Sequence, residues 1–380
     1  MAPAKTGAAD DCFGDRRSGA RARRPRPAKL AAALARIGPP DAGAMRRAEE
    51  RQRALTKPPG SLGRLEELAV RLAGMLGDAR PRIGGKAVIV AAGDHGVVAR
   101  GVTGYPQAVT AQMVANFLAG GAAVSVMCRR LGVRQLVVDA GIAAPAPASH
   151  PALRIVRVGA GTGDMSRGPA MSREQAERCL EAGIEIAGEV AAAGADLIAT
   201  GDMGIGNTTA ASAIAAAVTG RPPGDTTGRG TGRNDDQLRH KIAVVEHALA
   251  CNLPDRGDAL DVLAKVGGFE IGVLAGVILG AASQRRAVVL DGFIAGAAAL
   301  LAVLLSPAAR GYLIAAHRSA EPGHRVVLAH LDLQPLLDLE LRLGEGSGAL
   351  LAMPIIEAAA ACLAEMATFA EAGVSDRGQP

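Results

Sequence analysis

The sequence predicts an α/β fold built on a mostly parallel sheet, and two observations carry that expectation. Short β-branched runs alternate with longer alanine-rich helical stretches: KAVIVAAGDHG, QLVVDAGI, LRIVRVGAGTGD, DLIATGDMGIGN, AVVLDGF, YLIAAHRSAEPG and RVVLAHLD. Near-continuous apolar strands separated by helices are the pattern of a parallel sheet covered on both faces. The runs also end in clusters of Gly with Asp, His, Asn or Ser. In open α/β sheets ligands bind beyond the carboxyl ends of the strands, so these clusters are expected to converge on one crevice. The expected architecture is a Rossmann-like sheet flanked by helices, with a smaller helical domain made from the N- and C-terminal segments.

In chain order, residues 1–30 read as a disordered basic tail and residues 31–85 as the N-terminal helical part of the small domain. Residues 86–340 form the α/β large domain, and residues 341–380 a glycine-rich loop followed by the C-terminal helical part. Residues 1–29 hold eight Lys/Arg and three Asp, which accounts for the whole net charge of +5. The rest of the chain is balanced, so basicity belongs to the tail, and no nucleic-acid partner is expected. A stretch so poor in apolar residues cannot offset its ordering entropy. Helices are expected over residues 41–79, broken at KPPGSLGRLEEL, where Ser61 can cap the following turn. A last helical region runs from Ala349 to about Glu371, interrupted by Pro354.

The core must be aliphatic: hydrophobic residues make up 49% of the chain but aromatics only 2%, and 49 glycines allow close packing. The longest apolar runs, IGVLAGVILGAA and FIAGAAALLAVLL, fall short of the roughly 18 residues of a membrane span and read as buried helices. Five widely spaced cysteines without a CxxC fit a reducing cytoplasm. The seven histidines form no metal-ligand spacing, so neither a metal nor a cofactor is expected.

Four places carry candidate chemistry. TGDMGIGNTTAASAIAAAV sets a glycine-rich turn against Asn207 and Thr208 at the start of a helix. Exposed amides and the positive end of the helix dipole suit a phosphate there, with Gly204 admitting a ligand to the backbone; simple capping by Asn or Thr is the alternative. Lys241, in HKIAVVEHAL, can supply charge to that phosphate if its segment folds over the crevice; otherwise the stretch, with Arg229 and Arg233, is a solvated helix face. Tyr105 of GVTGYPQAVTAQM either packs or faces a flat ring. In LRLGEGSGALLAMP, Glu345 lies between two glycines before the last helix, and either caps that helix or works as a base. Asp202 is the second acid at a strand end, where it can also cap a turn. A nucleoside-triphosphate loop is absent, because GxxxxGK[ST] does not occur, and VGAGTGDM is not followed by the helix a dinucleotide fingerprint needs.

Together these stretches, with KPPGSLGRLEELA, VGGFEIGVLAGVILGAA and SAEPGH, resemble the nicotinate-nucleotide:dimethylbenzimidazole phosphoribosyltransferase family over about residues 41–373. The resemblance implies transfer of the 5-phosphoribosyl group from nicotinate mononucleotide to 5,6-dimethylbenzimidazole in cobalamin biosynthesis, by a homodimer. It implies Glu345 as general base and phosphate contacts at Gly204, Lys241 and Ser319. The benzimidazole pocket maps to the Tyr105 segment and Gln112. Asp202 stands near that pocket, where the family has a longer acid, and this departure leaves its role open. The chemistry agrees: nicotinate leaves as a ring already cationic and needs no general acid, whereas the incoming base must lose one proton. A different acceptor base, or a non-catalytic nucleotide-binding regulator, are the competing expectations.

Overall fold

The computed structural model describes residues 26–230 and 234–375. Most of the expected tail therefore lies outside the described residues. Its last residues do not: Ala28–Leu30 already belong to the first helix, because Leu30 has a fully buried seat. The chain runs through α1 (Ala28–Arg36), α2 (Ala42–Ala54) and α3 (Arg64–Leu76) to β1 (Lys86–Gly93), then α4 (Val109–Ala119), α5 (Ala123–Leu131), β2 (Arg134–Gly141) and β3 (Leu153–Ile155). Helix α6 (Arg173–Ala192) leads to β4 (Leu197–Met203), followed by α7 (Asn207–Thr219), α8 (Pro223–Thr226), α9 (Asp235–Asn252), α10 (Ala259–Val266), α11 (Phe269–Ser283) and β5 (Ala287–Leu290). Then come α12 (Phe293–Leu305), β6 (Leu313–Ala315), α13 (Pro322–Leu331), α14 (Ser347–Glu365) and α15 (Phe369–Ala372).

The six strands form one sheet in the order β3-β2-β1-β4-β5-β6, and every pairing is parallel. The chain direction across the sheet reverses between β1 and β4, which leaves a crevice beyond their carboxyl ends. Pairing of Ala91 with Asp202 brings Asp94, just past β1, and Asp202 to the same end of the sheet. The apolar runs within 271–282 and 293–305 are the buried helices α11 and α12.

Glycine decides how the layers close. On α11, Gly272, Gly276 and Gly280 recur at four-residue spacing and face α6, where the nearest groups include Gly183 and Ala187. A Cβ added at Gly276 would lie 2.1 Å from the Leu180 carbonyl oxygen, and one at Gly183 would lie 2.0 Å from that of Val273. Helix α1 packs against this pair, whereas α14 packs against α3, α5 and β4. The two ends of the chain are joined by an isolated Leu55–Thr368 bridge and by Arg51, whose guanidinium donates to the carbonyls of Leu363 (2.7 Å) and Met366 (2.8 Å).

Three local expectations fail. RVVLAHLD is not a strand but the body of α13: Pro322 starts the helix, and Val327, Leu328 and Leu331 fall on one buried face. Pro354 does not interrupt α14, which runs through it with the proline on its exposed side. Ser61 does not cap α3; instead Glu66 accepts the amides of Gly60 (3.3 Å) and Leu62 (3.1 Å). Two helical stretches, Val109–Leu131 and Ser347–Glu365, have the length and hydropathy of a span, although neither is an unbroken apolar run. The first is divided at Gly120–Ala122 into α4 and α5, and the second is the mostly buried α14.

Gly276→Val should lower stability by about 3 kcal/mol, because its side chain would meet backbone that cannot move without separating the helices. Gly168→Ala, where nothing lies within 4 Å of the added carbon, should change it by less than about 0.5 kcal/mol. Urea unfolding of both variants checks the pair.

Candidate active site

Glu345 sits in a run of three left-handed residues: Gly344 (φ 82°), Glu345 (φ 63°) and Gly346 (φ 88°). A side chain at positive φ costs on the order of 1–2 kcal/mol, so the neighbours must impose this shape. They do so through β4 and β5. The Glu345 amide donates to the Asp202 carbonyl at 3.3 Å. Asp291, one residue beyond β5, accepts the amides of Gly346 (3.2 Å), Gly348 (2.7 Å) and Ala349 (3.0 Å), and thereby caps α14. The Ser347 hydroxyl and amide both donate to the Gly344 carbonyl. Gly201 leaves room for the turn, since a Cβ there would lie 2.5 Å from the Glu345 carbonyl oxygen.

The α14 cap is therefore Asp291, and Glu345 is not consumed in capping that helix. Glu345 is 4% exposed, and its Oε2 has no hydrogen-bond partner among the described residues. Burial raises its pKa, opposed by the Val124 amide at the start of α5. Leu350, in the first turn of α14, is fully buried, whereas Leu343, just ahead of the left-handed run, is 56% exposed.

Further carboxylates crowd the same end of the sheet. Asp202 is buried, with Oδ2 accepting from Asn207 Nδ2 at 2.9 Å and Oδ1 unpartnered among the described residues. Burial, and then the charges of Asp291 and Glu270, push its pKa well above the usual carboxylate range. Burial likewise takes Asp291 up to about 7 even though three amides pull it down. Asp94, raised by burial, accepts the Ala143 amide at 2.8 Å. His95 Nε2 lies 2.7 Å from Glu270 Oε1. Burial pulls the imidazole down, but the Glu270 carboxylate outweighs it and leaves the His95 pKa raised. Sequence reasoning missed Asp291 and Glu270 as parts of the site. The available signal was a lone acid inside each of the apolar stretches VVLDGF and VGGFEIG.

The anion side is built from α7 and α9. Helix α7 opens on left-handed Gly206 without a side-chain cap, so capping is not what Asn207 and Thr208 do. Asn207 engages Asp202, and Thr208 Oγ1 accepts from Lys241 Nζ at 2.8 Å. Lys241 is 1% exposed and also donates to the Gly228 carbonyl at 3.3 Å, so its stretch is no solvated face at that position. Gly204 is fixed by a close approach, because a Cβ would lie 2.4 Å from the Gly93 carbonyl oxygen. Ser319 is buried; its amide donates to His324 Nδ1 at 3.0 Å, and burial drops the His324 pKa to about 3, leaving the ring neutral. The two residues expected in the acceptor pocket are exposed. Tyr105 is 52% exposed ahead of α4, and Gln112 is exposed on α4 itself. Arg229 pairs with Asp235, and Arg233 lies outside the described residues.

A parallel sheet that carries, toward its carboxyl end, a glycine turn, a buried lysine against a helix start and a buried carboxylate with one oxygen unpartnered among the described residues defines the candidate active site of an α/β protein. Residues 37–374 match the family model described as phosphoribosyltransferase, DBI_PRT. The nicotinate-nucleotide–dimethylbenzimidazole phosphoribosyltransferase of Roseiflexus sp. (strain RS-1) is 60% identical over 348 residues, 92% of this chain and 98% of that protein. The enzyme of the same name from Chloroflexus aggregans is 59% identical over 341 residues, 90% and 96% of the two chains. The crystal structure of CobT from Thermus thermophilus superposes with a TM-score of 0.85 at 50% identity, covering 88% of this chain and 100% of that one. The chain belongs to the nicotinate-nucleotide–dimethylbenzimidazole phosphoribosyltransferase family.

Two substitutions test this account of the site. Asp291→Ala should cost roughly 1–3 kcal/mol, because it removes the cap and leaves buried amides unpaired. Asp202→Asn should raise the melting temperature at pH 7. The native group binds its proton more tightly than the unfolded one, so the acid loses stability as pH rises above the ordinary aspartate range, and the amide does not. The gain should vanish as pH falls below that range, which melts recorded from about pH 3 to about pH 8 would establish.

Proposed function

We propose that this protein transfers the 5-phosphoribosyl group of nicotinate mononucleotide to 5,6-dimethylbenzimidazole, forming α-ribazole 5′-phosphate and nicotinate with inversion at the anomeric carbon. The observation that carries this reading is the buried Glu345 carboxylate, which leaves one oxygen without a partner among the described residues at the crevice end of the sheet. The donor phosphate is held by the Gly204–Thr208 turn, Lys241 and Ser319. Opposite charges at the two ends of the crevice then orient the donor, with the anion at α7 and the scissile bond toward Glu345.

The bond from C1′ to the nicotinate nitrogen breaks with its electron pair, which neutralises the pyridinium without a general acid. The imine nitrogen of the benzimidazole attacks C1′ from the opposite face, and its N–H proton passes to Glu345. Burial favours this step by raising the Glu345 pKa toward working pH, where an ionised base still has a strong pull on a proton. Much of the remaining acceleration comes from positioning two substrates for in-line attack.

Tyr105 and Gln112 complete the acceptor pocket in this reading if a second copy covers them. A homodimer is supported by the apolar stretch Val109–Leu131, where only 33% of its most apolar window is buried and Val126 is 50% exposed. A cytoplasmic location is supported by the free thiols of Cys128, Cys179, Cys251 and Cys362.

Incubated with nicotinate mononucleotide and a panel of bases, the protein should release nicotinate and form an α-linked nucleotide with dimethylbenzimidazole; no release with any base would overturn the proposal. Glu345→Gln should reduce kcat by on the order of 10²- to 10⁴-fold with its melting curve preserved. The acid limb of the kcat/KM profile should lie above the ordinary glutamate range, with activity falling as pH drops through it, because the base works only when ionised. An acid limb at about pH 4 or below would remove Glu345 from that role.

A further inference from the structure

Beside Lys241 lies a polar wall that the phosphate cradle and the base leave without a role. Glu321, which precedes α13, is 7% exposed, and its Oε2 has no hydrogen-bond partner among the described residues. Thr227 is 2% exposed, with Oγ1 in the same condition. Thr227 precedes Gly228, and Glu321 approaches it from α13: a Cβ on Gly228 would lie 1.9 Å from Glu321 Oε2. The Gly228 carbonyl in turn accepts from Lys241 Nζ at 3.3 Å. The Glu321 amide donates to the Ser319 hydroxyl at 3.3 Å, which ties the carboxylate to the other proposed phosphate contact. Glycine at 228 is thus what permits a carboxylate to stand next to the anion cradle.

A buried carboxylate oxygen without a donor is costly, and native structures satisfy such groups. The missing partner has to be a hydrogen-bond donor. Phosphate is excluded, because an ionised carboxylate only accepts and would repel it. The group that adjoins the phosphate of the donor proposed above is a ribose, and it carries free hydroxyls. We infer that Glu321 accepts a hydrogen bond from a ribose hydroxyl of the phosphoribosyl donor, with the Thr227 hydroxyl as a second contact, and so selects ribonucleotide over deoxyribonucleotide donors. This inference rests on the proposed transferase reading.

The test compares nicotinate mononucleotide with its 2′-deoxy and 3′-deoxy analogues in the wild-type protein, Glu321→Gln and Glu321→Ala. Wild type should favour the ribonucleotide over at least one analogue by on the order of 10²-fold in kcat/KM, as expected for a hydroxyl bound to a buried charged acceptor. In Glu321→Ala that preference should fall to within about 5-fold, with the isosteric Gln variant between the two. A wild type without preference, or variants that slow all donors equally and keep the ratio, would overturn the inference; the second result would make Glu321 a counter-charge to Lys241. Calorimetric binding of ribose 5-phosphate, 2-deoxyribose 5-phosphate and 3-deoxyribose 5-phosphate reads the ratio without turnover. Absence of nicotinate release therefore sinks the transferase reading, while the binding ratio still judges Glu321.

Discussion

One carboxylate, Asp291, holds the start of α14, and the arrangement of the site depends on that contact. The first amides of a helix have no partner within it, and inside a packed protein they must find one. Asp291 satisfies two of them, and the Gly346 amide just ahead of the helix, from the end of β5, so the helix that follows Glu345 is anchored to the sheet. With the cap supplied from elsewhere, Glu345 can be buried without being used up, and its left-handed backbone is held from both sides. Gly201, Gly344 and Gly346 are the corollary, because each lies where a side chain would obstruct the turn or strain it.

The same end of the sheet concentrates buried acids, and each is accommodated differently. Asp291 is surrounded by amides, Glu270 is paired with His95, and Asp202 is pushed toward its neutral form. Glu345 is left as a partly unsatisfied carboxylate. Across the crevice Lys241 is buried against Thr208 and Gly228. Buried acids and a buried lysine thus share the carboxyl end of the sheet, held on different elements. Stability is given up for this arrangement, since several ionisable groups are held in environments that disfavour their charged forms.

Much of this was legible in the residues. Alternating apolar strands and alanine-rich helices specify a parallel sheet, and the glycine clusters mark its ligand end. What failed was local and had tertiary causes. RVVLAHLD reads as a strand from its valines, yet its apolar positions also fit one helical face, and packing chose the helix. Asn207 and Thr208 had capping as their alternative; instead Asn207 engages Asp202 and Thr208 engages Lys241, which lies on another helix. Asp291 and Glu270 escaped notice because a single acid in an apolar stretch carries no signal until its partners are known. Tyr105 and Gln112, which the family resemblance assigned to the acceptor pocket, sit exposed, and exposure is a property the residues themselves did not reveal.

The sequence by itself determined the alternation of strands and helices up to β6, the aliphatic and glycine-rich character of the core, and the family motifs around Glu345, because periodicity and glycine placement are local properties of the chain. Only the tertiary structure decided which acid caps α14 and which remains unpaired, where Lys241 points, and that Glu321 stands beside Gly228. Those outcomes are set by how β4, β5, α9 and α13, segments far apart in the chain, come together, and by the burial of the groups between them.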